Sequence, residues 1–226
     1  MRQVIRTVLS LLTIAILSIR CTTGVAGGDP GGSEITNGKV LSMAGVPASN
    51  IRVSAYPLGY IAGSWGNSTV ITAFTDDTGG FTLDIDSNSL YNIYIADSSS
   101  GSGCLVRDVG ARQNLGIIHL DSLGTIQGTI SIDSAQAAPV LAIYSKGTPL
   151  RVNIVSTDGI FKFGLVPSGS YSLSIAKMPP VGCIPGIDCL PGADTSSVEI
   201  ENITIESGGT TVVDTLLNVQ DIGELP

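Results

Sequence analysis

The chain has 226 residues, of which 13% are charged and 5% aromatic, with 28 glycines, 11 Lys and Arg against 19 Asp and Glu, and a formal net charge of −8. That length holds one large domain or two small ones. The acidic balance is repelled by phosphate backbones and anionic headgroups, so nucleic acid is not an expected partner.

The first residues, MRQVIRTVLSLLTIAILSIR, put basic side chains ahead of an uncharged apolar run from Val8 to Ile19. That run is shorter than the roughly 20 residues a membrane-spanning helix needs. Basic region first and apolar region second is the order of a secretory signal, so residues 1–20 are expected to be a signal peptide and the protein to be exported. Cys21 follows directly, ahead of TTGVAGGDPGGSE. It resembles the lipid-bearing cysteine of a bacterial lipoprotein, with Ser18 and Arg20 standing where that pattern has Leu and a small residue. The competing cut is after Ala26, because Gly24 and Ala26 satisfy the small-x-small rule of ordinary signal cleavage. Lipidation implies an envelope protein held at the outer membrane or cell surface, and ordinary cleavage implies secretion. Residues 21–34 are Gly-rich without apolar period and are expected to be a flexible tether.

From Ile35 the chain breaks into short alternating runs bounded by Gly, Ser, Asn or Asp, the pattern of strands and turns. The first set is ITNGKVLS, NIRVSAY, TVITAFT, GFTLDID, YNIYIAD, CLVRDV and LGIIHLD. The second is TIQGTISID, PVLAIYS, LRVNIVS, IFKFGLV, SYSLSIA, VEIENITI and TVVDTLL. A shift of 80 positions lays Phe161 on Phe81, Phe163 on Leu83, Leu165 on Ile85, Tyr171 on Tyr91, Leu173 on Ile93 and Ile175 on Ile95. One apolar skeleton is used twice. The expected fold is therefore all-β, two tandem seven-stranded Greek-key sandwiches over 35–121 and 123–218, with 219–226 as a tail. Phe81, Leu83 and Ile85 are expected in the core, with Asp84 and Asp86 facing water.

TDDTGGFTLDID…YNIYIA and STDGIFKFGLVPSGSYSLSIA resemble the turn and strand motifs of carboxypeptidase regulatory-like domains, small transthyretin-like sandwiches of the carbohydrate-binding-like fold. Asp158, Gly159, Phe161, Leu165, Pro167, Gly169 and Tyr171 carry the fuller motif, while the first copy has Ser87 and Ser89 in place of Pro167 and Gly169. The opening AGGDPGGSEITNGKV is similar to the leader of fibrobacter-type lipoproteins that carry such tandem domains. The resemblance implies fold and location and no catalytic chemistry, because this fold serves many functions.

Catalytic and metal signatures are weak. His119 is the single histidine, too few for a two-histidine metal site, and no H-E-x-x-H, G-x-S-x-G or phosphate loop occurs. Asp76, Asp77, Asp84 and Asp86 could suggest calcium, but Asp in a turn ordinarily bonds its own backbone and the spacing matches no ligand loop. Related adhesin sandwiches form Lys to Asn or Asp isopeptide bonds with an acidic helper, and neither YNIYIA nor YSLSIA carries an acid, so self-crosslinking is not expected. Cys183 and Cys189 bracket IPGID and form the expected disulfide, leaving Cys104 free, with a bridge from Cys104 to the second unit as the alternative.

The two copies differ in one place. Gly38 lies 43 positions before Phe81, and Gly128 lies 33 before Phe161. The ten extra residues fall around AYPLGYIAGSWGNST, which holds Tyr56, Tyr60 and Trp65. These aromatics are expected either as a lid over the end of the sandwich or as a stacking platform for a sugar ring.

The expected protein is a non-enzymatic envelope lipoprotein acting as a structural or interaction module. Its alternative is a polysaccharide-binding module at the cell surface. It would need no cofactor and no metal, and its partners would be the membrane through the lipid and a polysaccharide or another envelope protein. Cys21→Ser should abolish incorporation of labelled fatty acid and release the protein from membranes. A mature N-terminus at Gly27 with unmodified mass would establish cleavage after Ala26 instead.

Overall fold

The computed structural model describes residues 35–64, 69–133, 140–154, 159–177 and 197–218. All of their regular structure is β. The first unit contains β1 (Ile35–Leu41), β2 (Arg52–Pro57), β3 (Ile71–Phe74), β4 (Gly80–Asp84), β5 (Tyr91–Asp97), β6 (Ser102–Val109), β7 (Asn114–His119) and a two-residue β8 (Asp121–Ser122). The second contains β9 (Gly124–Asp133), β10 (Leu141–Tyr144), β11 (Arg151–Ile154), β12 (Ile160–Val166), β13 (Gly169–Lys177), β14 (Val198–Ile205) and β15 (Thr210–Asn218). Each of the fourteen expected strands is present, and β8 is the addition.

Both units have one topology. In the first, β4-β1-β7 faces β3-β2-β5-β6, extended by β8; in the second, β12-β9-β15 faces β11-β10-β13-β14. The last long strand of each unit runs parallel to its first, β7 on β1 and β15 on β9, and the other pairings are antiparallel. Connections such as β3 to β4 and β6 to β7 cross between sheets, which is what makes each unit a Greek key.

The repeated skeleton is the core. Phe81, Leu83, Ile85, Ile93 and Ile95 are buried in the first unit, and Phe161, Phe163, Tyr171, Leu173 and Ile175 in the second. Asp84 and Asp86 alternate outward and are exposed, as the period of two requires. Leu165 is the exception among the matched positions. It is 48% exposed because it sits at a bulge between Gly164 and Val166 with φ of 58°, which turns its side chain away from the core.

Register is set by a glycine opposite each Phe. Gly38 pairs with Phe81 and Gly128 with Phe161 across the sheet. A Cβ on Gly38 would stand 2.9 Å from the Phe81 ring, and one on Gly128 would stand 3.1 Å from Cε1 of Phe161 and 1.7 Å from the Val213 carbonyl oxygen. Each ring occupies the space a side chain would need, so a one-residue slip is excluded sterically as well as by the polarity of the faces. Tyr171 closes the second-unit motif by donating its buried hydroxyl to the Pro167 carbonyl at 2.7 Å.

Phe161→Ala should destabilise the protein by about 3 to 5 kcal/mol, the range for emptying a buried aromatic site. Ile160→Ala, on the neighbouring position that is 62% exposed, should stay within about 0.5 kcal/mol. Denaturant unfolding of the two variants checks the inward and outward assignment of β12.

Candidate functional site

A sandwich that stands alone keeps the outer faces of its sheets wet. Here several strands are buried on both faces. In β5, Ile93 and Ile95 point into the first core while Asn92 and Tyr94 point outward, and all four are buried. In β10, Leu141 and Ile143 point inward while Ala142 and Tyr144 point outward, and all four are buried. The second cover is the other unit: Tyr56, Tyr94 and Leu105 of the first pack into the same apolar cluster as Leu141, Phe163, Tyr171 and Ile175 of the second.

Polar groups stitch this seam. The Tyr94 hydroxyl donates to the Leu165 carbonyl at 2.9 Å. Asn92 Nδ2 donates to the Gly147 carbonyl at 3.0 Å, and the Gly147 amide donates to the Tyr60 carbonyl at 2.8 Å. Arg151 Nη1 donates to the Ala62 carbonyl at 2.6 Å, and Ile61 forms a parallel bridge with Thr148. At the chain junction the Leu123 amide bonds the Gly101 carbonyl, and the Gly208 amide bonds the Ser122 carbonyl, both at 2.9 Å. Each such bond contributes about 0.5 to 1.5 kcal/mol net, and together they fix the joint at separated points. Burial pushes the Tyr94 and Tyr171 phenols upward and pulls the Arg151 guanidinium below its ordinary value.

The ten-residue insertion therefore has a structural destination. Tyr56 is buried, 5.0 Å from the Tyr60 ring and 6.3 Å from the Tyr94 ring, and Ile61 lies against Ala142, Tyr144 and Ala176 on the outside of the second unit's sheet. As an open stacking face Tyr56 is not available, because the second unit covers it. Tyr60 is half-buried beside it, and Trp65 lies outside the described residues.

Beside the seam is a groove of about 350 Å³. Its floor is the outer face of β13 with Ser170, Ser172 and Ser174; Lys146 follows β10, Glu199 and Asn202 come from β14, and Arg107 reaches in from β6 of the first unit. Two matching bulges feed it. Asp108, next to Arg107, has φ of 56° and Asn202 has φ of 61°, where β6 and β14 each shift register against the preceding strand. Bulges re-aim side chains. Arg107 Nη2 donates to the Ser170 carbonyl at 2.5 Å, and its guanidinium carbon lies 5.2 Å from the centroid of the Tyr171 ring. Lys146 Nζ is 3.1 Å from Glu199 Oε1.

The other residues singled out from sequence lie elsewhere. Asp76 accepts from the Thr78 hydroxyl and from the Thr78 and Gly80 amides, and these bonds, the hydroxyl first, hold its carboxyl below the usual range. Asp77 accepts from Ser49, and Asp86 from Asn88. His119 ends β7 with its side chain exposed. No cluster of three or more His, Cys, Asp or Glu with metal-binding geometry occurs among the described residues. Cys104 is fully buried and disulfide-bonded, so it is not the free thiol expected. Cys21, Cys183 and Cys189 also lie outside them.

No family model and no curated protein matches the chain. Among solved structures it is similar to GBS52, the minor pilin of Streptococcus agalactiae, at 14% identity and a TM-score of 0.36, over 82% of this chain and 96% of that one. It is similar to shaft pilin SpaA from Lactobacillus rhamnosus GG at 10% identity and a TM-score of 0.27, over 83% and 98%. For the TIE protein of Bacillus anthracis the figures are 13% and 0.28, over 81% of this chain and 33% of that one. Scores of this size reflect a loose likeness of chain path, and the role of those proteins does not transfer.

Proposed function

We propose that the chain is a non-enzymatic module of the cell envelope, exported by residues 1–20, anchored by a lipid on Cys21, spaced from the membrane by residues 21–34, and built to act as one stiff block. The observation that carries the mechanical part is the burial of Tyr56, Tyr94 and Leu105 within the second unit's apolar cluster. Two domains meant to move independently keep a small polar interface. Here aromatic side chains, a strap from the insertion and a stapled junction hold the two sandwiches at a fixed angle, which suits display or bracing at a surface.

The groove supports binding rather than catalysis. Its one carboxylate, Glu199, already pairs with Lys146, and the remaining polar groups are hydroxyls, an amide and a guanidinium. General acid–base work wants a titrating pair of groups poised against each other. The polysaccharide-binding reading keeps one supporting observation, this hydroxyl-lined groove.

Nuclear spin relaxation on the purified chain should return one rotational diffusion tensor for both units. Combining Asn92→Ala, Tyr94→Phe and Arg151→Ala should split it into two faster-tumbling bodies while each sandwich stays folded. Separate tensors in the unaltered protein would contradict the block reading.

A further inference from the structure

The geometry points to the groove beside the seam as a binding site for a carboxylated oligosaccharide, its acid groups met by Arg107 and Lys146 and its hydroxyls by Ser170, Ser172 and Asn202.

Charge selects the acid. In a chain whose formal net charge is −8, this groove brings two cations together with one carboxylate. Arg107 bonds a backbone carbonyl and lies over an aromatic ring instead of pairing with an acid, so the rest of its five-donor fork faces the groove. Lys146 spends one of three donors on Glu199. A guanidinium fork at the Ser170 end of the groove and an ammonium at the Ser174 end make charge-assisted seats for carboxylates.

The floor selects a saccharide over an acidic peptide. A peptide that docks on a sheet ordinarily adds a strand to an open edge, where backbone groups are unpaired. β13 is an internal strand, hydrogen-bonded to β10 on one side and β14 on the other, so only side chains are offered. Ser170 and Ser172 alternate outward along it and are exposed, roughly 6 to 7 Å apart by strand geometry. Their hydroxyls and the Asn202 amide have no partner among the described residues, and each group both donates and accepts. A row of such groups matches a ligand that presents hydroxyls at short, regular intervals.

Position adds a consequence. Arg107 comes from the first unit and the other groups from the second, so the site is complete only when the units are docked. The proposal rests on the docked arrangement argued above. A ligand bound there would tighten the seam, because only the docked state binds it.

The test is calorimetric titration of the purified full chain with tetragalacturonate, its methyl-esterified form and a glutamate hexapeptide. Tetragalacturonate should bind with affinity that falls as salt rises, and the ester and the peptide should bind at least about tenfold more weakly. Arg107→Gln and Lys146→Gln should each weaken tetragalacturonate by about tenfold or more. Asn202→Asp, which keeps a residue tolerant of positive φ and breaks no side-chain hydrogen bond among the described residues, should do the same with an unchanged melting temperature. The proposal is overturned by no detectable binding at millimolar ligand, by equal binding of ester or peptide, or by full affinity in Arg107→Gln. Spin relaxation reports the docking separately, so a stiff block that binds nothing and a groove that binds without docking are distinguishable results.

Discussion

The hydrogen bond from Tyr94 to the Leu165 carbonyl joins the two sandwiches between a buried outward-facing phenol and a bulged strand. Tyr94 stands on the outer face of β5, a position that a solitary sandwich would leave to water, and it is buried. Its phenol donates to the carbonyl of Leu165, a residue with φ of 58°, a conformation that costs a bulky residue about 1 to 2 kcal/mol. Around this bond the other features fall into place: Leu105 beside Tyr94, Arg107 two residues further over Tyr171, and the groove opening past Arg107.

The two units share one frame and differ on their outer faces. Inside, the units match closely: the glycine opposite a Phe, the turn glycines Gly79 and Gly159 with positive φ against the carbonyls of Val40 and Ile130, and the paired bulges at Asp108 and Asn202. Outside they differ. The first unit carries the insertion and turns Tyr56, Tyr94 and Leu105 outward; the second offers Ala142 and Ala176, small enough for Ile61 to approach. One bulge consequently sends Arg107 across the seam and the other sends Asn202 into the groove.

The frame was legible in the sequence because strand alternation and the 80-residue skeleton report the inner faces directly. Phe161, Leu173 and Ile175 announce themselves by period. The seam was less legible because it is carried by the other face. YNIYIA and VLAIYS are apolar or aromatic on both faces, the signal of a strand covered twice, and Tyr94 and Tyr144 stand at the outward positions. Tyr56 was open between lid and stacking platform in the sequence, because an aromatic next to an insertion fits either, and only the fold shows that the second unit covers it. The groove was not legible, since Arg107, Lys146 and Asn202 are separated by 39 and 56 residues of sequence and come into one groove only in the fold.

The central claim is that the two sandwiches are one body, and the Gly147 amide tests it most directly. This amide sits in the second unit and its bond goes to Tyr60 in the first. Native-state hydrogen exchange should find it protected to nearly the same degree as core amides such as those of Ile143 and Ile175, because opening it requires parting the seam. Exchange at the rate of an exposed turn amide, with the core amides still protected, would contradict the account.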